Sequence, residues 1–282
     1  VFRCTIPEGP EILLSKDAIK PLLINQKVTQ IKIGEKSRYR RKPLKGLVEF
    51  QKAIDESLVI SNVETRGKFM YWSFSNDWFM FCGFGMSGQW SPNPGEHCCI
   101  EVKMIGSDGA ASSLYFDDPR HFGNIQFVKG ERELLNKLDE LGWDPLYHGY
   151  TEAFCNFIYQ KCQRKDKPIG QLLMDQAIFS GVGNYIRAEV LYEMKMSPWR
   201  KSKDLSKADV LSLCQTIIKV MTDSYQHQGA TILTYKDPYG SRGKYSDGFK
   251  VYRQSTDPLG NQVITEETPD GRTIHWCPAV QV

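Results

Sequence analysis

The sequence predicts an α+β protein in which strands come first and helices follow. Three observations carry that reading. The first half holds short runs of β-branched and aromatic residues set off by Gly, Asn, Asp and Pro clusters. From Glu131 the apolar period lengthens to that of a helix, and from about Lys236 turns and two short strands return. The chain has 282 residues, and at about 150 residues per domain two domains are expected.

In order along the chain, a helix is predicted from Pro7 to about Leu23, because proline suits a first helical turn where its missing N–H costs nothing. Strands are predicted over residues 28–33, 68–74, 78–82, 100–105, 113–116 and 124–128. Leu134, Leu135, Leu138 and Leu141 then recur at helical spacing. Val210, Leu211, Cys214, Ile217, Ile218 and Met221 do the same behind a Ser206-x-x-Asp209 capping box. Two strands, 249–254 and 272–277, close the pattern.

Lysine plus arginine number 36 and aspartate plus glutamate 33, a net charge of +3 that excludes an acidic, polyelectrolyte-like chain. With 41% hydrophobic and 12% aromatic residues the chain can build a core, which excludes disorder. The longest run of apolar residues and glycine, 78–86, has nine members, against the about 20 a membrane span needs. The eight cysteines lack C-x-x-C spacing and the first eight residues carry no signal-peptide pattern, so reduced, intracellular thiols acting as small buried hydrophobes are expected. The five histidines form no metal-ligand cluster.

Gly83-Phe-Gly85-Met-Ser-Gly88 fits a dinucleotide fingerprint, but that fingerprint needs a helix at its third glycine and Gln89-Trp-Ser-Pro-Asn-Pro-Gly95 cannot form one. The basic run Lys36, Arg38, Arg40, Arg41, Lys42 and Lys45 reads either as a solvated loop or as a phosphate contact. Four constellations could carry chemistry. Pro7-Glu8-Gly9-Pro10-Glu11 sets two carboxylates in a first helical turn, where acids also complement the helix dipole. Arg66-Gly67-Lys68 puts a lysine at a strand start, which alone is a surface lysine. Met86 and Asp118-Pro119-Arg120-His121-Phe122-Gly123 put large side chains on loop tips, as if to meet something apolar such as an opened base stack. Finally, the stretch from Leu172 through Asp175-Gln176 to Gly181-Val-Gly183-Asn184-Tyr185 and Leu191 reads as a helix, a glycine turn and a new helix at Asn184. The apolar face of that second helix holds Tyr185, Ala188, Leu191 and Tyr192. Two readings are open: its first N–H groups suit a phosphate, or the whole is a plain helical corner.

Taken in order, P-E-G-P-E, G-K, G-M-S-G, D-P-R-x-F-G, L-L-x-D-Q…G-x-G-N-Y…E-x-L and G-R-T…C-P-x-x-Q resemble the Fpg/Nei DNA glycosylase/AP lyases across nearly the whole chain. The resemblance is to the endonuclease VIII-like branch with a zincless finger, of eukaryotic or giant-virus type. It implies an N-terminal β-sandwich flanked by helices (1–130), a helical helix–two-turn–helix domain (131–235) and a zincless β-hairpin finger (236–282). By the same resemblance Pro7 is the nucleophile, Glu8 the acid that opens the sugar, Lys68 a catalytic support and Glu11 an auxiliary carboxylate. Met86, Arg120 and Phe122 fill the void left by a flipped nucleotide, Asn184 and Arg272 hold phosphates, and residues 231–248 meet the base. The implied partner is double-stranded DNA with oxidised bases or abasic sites. A monomer without cofactor or metal is implied, in the nucleus or another DNA-containing compartment.

Two departures from the family pattern bear on the chemistry. His121 stands where a second arginine is frequent. Six residues precede Pro7, and a proline nitrogen inside a chain is a tertiary amide with no usable lone pair. An α-amine titrates near about 7.7–8.0, so a freed Pro7 would be a good neutral-pH nucleophile. The alternatives are an enzyme whose Pro7 is exposed by processing and a DNA-damage-binding relative blocked at Pro7. The finger yields a direct prediction. Of the four zinc-ligand places of the family's finger only Cys277 retains a cysteine, while a structural zinc takes four ligands. Metal analysis of the purified protein should therefore find no stoichiometric zinc, and finding it would overturn the zincless reading.

Overall fold

A computed structural model of the chain describes residues 7–230, 238–240 and 242–282. It divides into two units, whose boundary falls inside the first helix. One holds Pro7, residues 11–139 and 230–243; the other holds 8–10, 140–229 and 244–282. The elements run α1 (Gly9–Leu23), β1 (Lys27–Ile33), α2 (Leu47–Asp55), β2 (Ile60–Arg66), β3 (Phe69–Phe74), β4 (Trp78–Gly83), β5 (Gln89–Ser91), β6 (Cys98–Ile105), β7 (Ala111–Asp117) and β8 (Asn124–Lys129). Then come α3 (Glu131–Asp139), α4 (Pro145–His148), α5 (Glu152–Gln163), α6 (Ile169–Leu172), α7 (Asn184–Glu193), α8 (Lys207–Gln226), β9 (Ile264–Glu267) and β10 (Thr273–Trp276).

The first unit is built on two four-stranded antiparallel sheets, β1-β6-β7-β5 and β2-β3-β4-β8. Alternating inward residues of both sheets merge into one apolar core that includes Val28, Val102, Phe116, Val63, Trp72, Met80 and Phe127. This is the two-layer solution for strands that are apolar on one face. Trp72 of β3 and Trp90 of β5 meet with ring centroids 4.7 Å apart, joining the two layers at their aromatic centre. Phe50, from α2, stacks on Phe127 at 4.1 Å and meets Phe74 and Trp78 edge-on. The six predicted strands are all present, each shifted by a residue or two at its ends; β2 and β5 are additional.

The second unit is helical, with a small hairpin. The capping box at α8 forms as expected: Ser206 accepts from the Asp209 N–H and Asp209 accepts from the Ser206 N–H. Helix α7 is buried around nearly its whole circumference, Arg187 and Glu189 included, while Tyr192, expected on its apolar face, is only half-buried. The helix expected before Gly181 is shorter than the motif implied. It ends at Leu172, and residues 173–183 form a compact turn that Gln176 organises. Its Nε2 donates to the carbonyls of Met174 and Val182 and its Oε1 accepts from the Gly181 N–H.

The strand expected over 249–254 does not form. The Glu189 carboxylate instead accepts the N–H groups of Lys250, Val251 and Tyr252, and Arg253 is left-handed at φ 58°. Backbone donors gathered on one side chain cannot also serve a ladder. The partner of β10 is β9, in the register Thr273↔Glu267 to Trp276↔Ile264. Glu266 of β9 accepts from the indoles of both Trp199 and Trp276. Where the family's finger carries zinc ligands, the Asp257 carboxylate accepts from Leu259 N, Asn261 N, Asn261 Nδ2 and Tyr192 Oη, with the Cys277 thiol 3.6 Å away. Among the described residues no group of three or more ligand side chains could hold a metal, so these residues do not fit a zinc site.

The seven described cysteines are all free thiols. Burial pushes Cys98 up to about 11 and Cys99 and Cys162 up to about 12. Burial also raises Cys82, Cys214 and Cys277. No described helix is long and apolar enough to cross a membrane.

Because Phe50 is fully buried and is the ring through which α2 meets the sheet, Phe50→Ala should lower unfolding free energy by about 3–5 kcal/mol, read from the shift in denaturant midpoint. A change below about 1 kcal/mol would show that the site collapses around the gap.

Candidate functional site

In the first unit three of the expected residues come together on two joined loops. Met86 lies in the loop after β4, and Arg120 and Phe122 lie in the loop between β7 and β8. Asp118, 1% exposed, ties them: one carboxylate oxygen accepts from the Ser87 hydroxyl and the other from the Gly123 N–H at 2.6 Å. Ser87 Oγ in turn accepts from the Arg120 N–H. Gly85, at φ 61°, runs so close to Phe122 that a Cβ there would sit 2.5 Å from the Phe122 carbonyl carbon. The loops are therefore fixed by backbone contact. At the tip Phe122 is 55% exposed, Met86 is half-buried, and the Arg120 guanidinium lies 5.2 Å from the Phe122 ring centroid. The buried Asp118 carboxylate thus holds a large apolar side chain out at the loop tip.

Behind the tip, Arg38 donates to the carbonyls of His121 and Gly123, and Tyr39 Oη donates to Gly123 O while accepting from Ile125 N. This member of the basic run is a brace. Lys36 pairs with Glu96 on the surface. Lys68 occupies the second place of the two-residue β2–β3 turn, after Gly67 at φ 57°, and is half-buried. Glu11 of α1, 2% exposed, accepts from Ala230 N at 2.8 Å. The loop expected to meet the base falls partly on 231–237 and Ser241, outside the described residues. Pro7 is buried.

In the second unit Glu8, 2% exposed, faces the start of α7. Its Oε1 accepts from Tyr185 N at 2.9 Å and its Oε2 from Ile186 N at 3.3 Å. The anion that complements this helix start is thus Glu8, which corrects the expectation that these N–H groups await a phosphate. Gly183 makes the approach possible, since a Cβ there would be 2.2 Å from Glu8 Cδ. Beside it the Gly9 N–H donates to Gly181 O. Asn184, half-buried, opens the helix, and Arg272 stands 46% exposed at the start of β10, its Nε 3.4 Å from Asp270.

Sequence reasoning gave no role to Arg187 or Glu189. Arg187 is fully buried, and burial lowers it to about 10, with Asp270 and then Glu8 opposing that shift. Tyr252 is pushed up to about 12 by burial and then by the Glu8 charge. The signal available was two charges, Arg187 and Glu189, among the apolar residues in the middle of the helix.

The buried Asp118 carboxylate yields a prediction. Asp118→Ala strands the Gly123 N–H, a loss of about 1–3 kcal/mol. Hydrogen exchange at Gly123 and its neighbours should accelerate about tenfold or more, and unchanged protection would show that the loop stands without it.

Three family models match in order: the formamidopyrimidine-DNA glycosylase N-terminal domain over 6–125, its H2TH domain over 141–236 and its C-terminal domain over 243–282. The chain is 27% identical over 281 residues to the formamidopyrimidine-DNA glycosylase of Thermus thermophilus, covering 98% of each. It is 29% identical to that of Wolbachia pipientis from Culex pipiens, covering 98% of this chain and all of the relative. The crystal structure of the Thermus thermophilus MutM (Fpg) protein superposes with a TM-score of 0.81 at 27% identity, covering 98% of each chain. A Lactococcus lactis Fpg complexed with abasic-site DNA shares the fold at TM-score 0.82 and 23% identity, covering 98% of this chain and 99% of that one. The relatives carry the Fpg name and leave the endonuclease VIII-like and zincless branch as an expectation. With three models of one family following one another along most of its length, the chain belongs to the formamidopyrimidine-DNA glycosylase family.

Proposed function

We propose that the protein is a DNA glycosylase of oxidised-base repair that also cleaves the abasic strand, acting as a monomer on double-stranded DNA. The observation that carries this reading is the Glu8 carboxylate, directly after Pro7 and held on the two N–H groups at the start of α7. That arrangement fixes a carboxyl group next in sequence to a proline, whose nitrogen becomes a secondary α-amine once Pro7 is terminal. Further support comes from relatives of this family solved with DNA: one with DNA containing an abasic site, another with DNA containing carbocyclic 8-oxo-G.

The chemistry proposed is the following. The free Pro7 nitrogen attacks C1′ of the damaged nucleotide, and the bond to the base breaks with its electron pair leaving on the base. The Glu8 carboxylate takes the proton that the Pro7 nitrogen sheds and passes it to the ring oxygen, the sugar opens, and an iminium links Pro7 to C1′. Loss of a proton from C2′ then expels the 3′ phosphate, and water releases the sugar remnant from the enzyme. Lys68 supports these steps and holds a phosphate, and Glu11 acts as an auxiliary carboxylate. Met86, Arg120 and Phe122 occupy the space the flipped nucleotide leaves. Asn184 and Arg272 hold flanking phosphates, which fix register without reading sequence. The substrate range proposed is oxidised pyrimidines, formamidopyrimidines and hydantoins, and the finger is proposed to be of the zincless kind.

All of this requires Pro7 as a terminal amine. Borohydride trapping on lesion-containing duplex tests it. Protein beginning at Pro7 should give a covalent adduct that disappears with Pro7→Ala or Glu8→Gln, and protein verified by mass to begin at Val1 should give none through Pro7. Equal trapping by both forms would overturn the proline mechanism. A Pro7-started protein that binds lesion duplex but never cleaves would favour a damage-binding role.

A further inference from the structure

Arg187 is the largest charged side chain in the fully buried interior, and neither the nucleophile nor the loop tip uses it. Its Nη1 donates to Gly170 O at 2.9 Å, and its Nη2 donates to Asn184 Oδ1 at 3.1 Å and to Thr273 O at 2.8 Å. Desolvating a guanidinium is expensive, and an apolar side chain of the same volume would fill the space more cheaply. What the charge secures is the state of its neighbours.

An asparagine amide has an accepting and a donating end, and nothing in its shape decides which faces outward. Arginine has only donors. By engaging Oδ1, Arg187 leaves Asn184 Nδ2 as the group on the other side of the amide. Phosphate oxygens only accept, so a phosphate is met by Nδ2 and repelled by Oδ1. The same Nη2 holds the carbonyl of Thr273, the residue next to Arg272.

We propose that Arg187 is a positioning residue for DNA binding, which sets the Asn184 amide as a phosphate donor. This rests on the reading that Asn184 contacts phosphate. The test measures binding of a duplex containing a tetrahydrofuran abasic analogue, by fluorescence anisotropy across a salt series. Proteins compared are the parent, Arg187→Lys, Asn184→Ala and the double variant, each with its melting temperature. A lysine keeps the charge but cannot bridge three acceptors.

Arg187→Lys should weaken binding about tenfold and make the salt dependence shallower by about one ion, as expected when one phosphate contact is lost. In the Asn184→Ala background the same change should add less than about twofold, because its target is gone. An equal loss in both backgrounds, or no loss in either, overturns the proposal while leaving the phosphate reading intact. Unchanged binding by Asn184→Ala overturns both.

Should Arg187→Lys fail to fold, Asn184→Asp decides. Its carboxylate keeps the Arg187 bond but offers a phosphate only acceptors. It should melt no lower than the parent and bind the duplex more weakly than Asn184→Ala. Binding equal to the parent would overturn the proposal.

Discussion

The bond from Glu8 to the first N–H groups of α7 is the constraint on which the second unit's arrangement turns. It joins residues 177 apart in sequence. A helix start exposes N–H groups that need acceptors, and a buried one cannot use water. Here the acceptor is a carboxylate delivered from the beginning of the chain. Its delivery demands a glycine at 183, a turn over 173–183 closed on itself by Gln176, and the Gly9 N–H to Gly181 O bond alongside. Residues that look in sequence like a loose glycine corner are thereby the mould for one carboxyl group.

Much of the fold could be read directly from residues. Strands β3 and β6 to β8 combine largely alternating burial with aromatic and β-branched content, β4 is a continuous buried aromatic run, and α8 announces itself by its capping box. The strand expected over 249–254 fails because a side chain competes with the ladder for backbone donors. Phe249 and Tyr252 look like strand residues, but their rings pack around Tyr185, with centroids 5.5 and 6.3 Å away, while Glu189 takes the N–H groups between them. Strand β9 was hidden for the opposite reason. It is polar and exposed, and it earns its place through one acid that two indoles share.

For the site, the motif residues stood out because their types are unusual where they lie: a proline beside two acids, a lysine in a turn, a phenylalanine on a loop tip. Their supports did not. Arg38 looks like one cation in a basic run, and only the fold aims it at the carbonyls of His121 and Gly123. Asp118 reads as a turn former and proves to be the knot between two loops. Arg187 and Glu189 differ from the helix around them, but their targets lie in other segments, which no local pattern encodes.

The buried thiols have a consequence for where such a protein can work. Oxidants attack thiolates far faster than thiols. With Cys98 held up at about 11 and Cys99 and Cys162 at about 12 by burial, almost none of each exists as thiolate at neutral pH. Cys82, Cys214 and Cys277 are raised in the same way. These cysteines therefore enter the sulfenic-acid ladder slowly while the fold is intact. For a protein proposed to act on oxidised DNA, the packing that raises these thiols also slows their own oxidation.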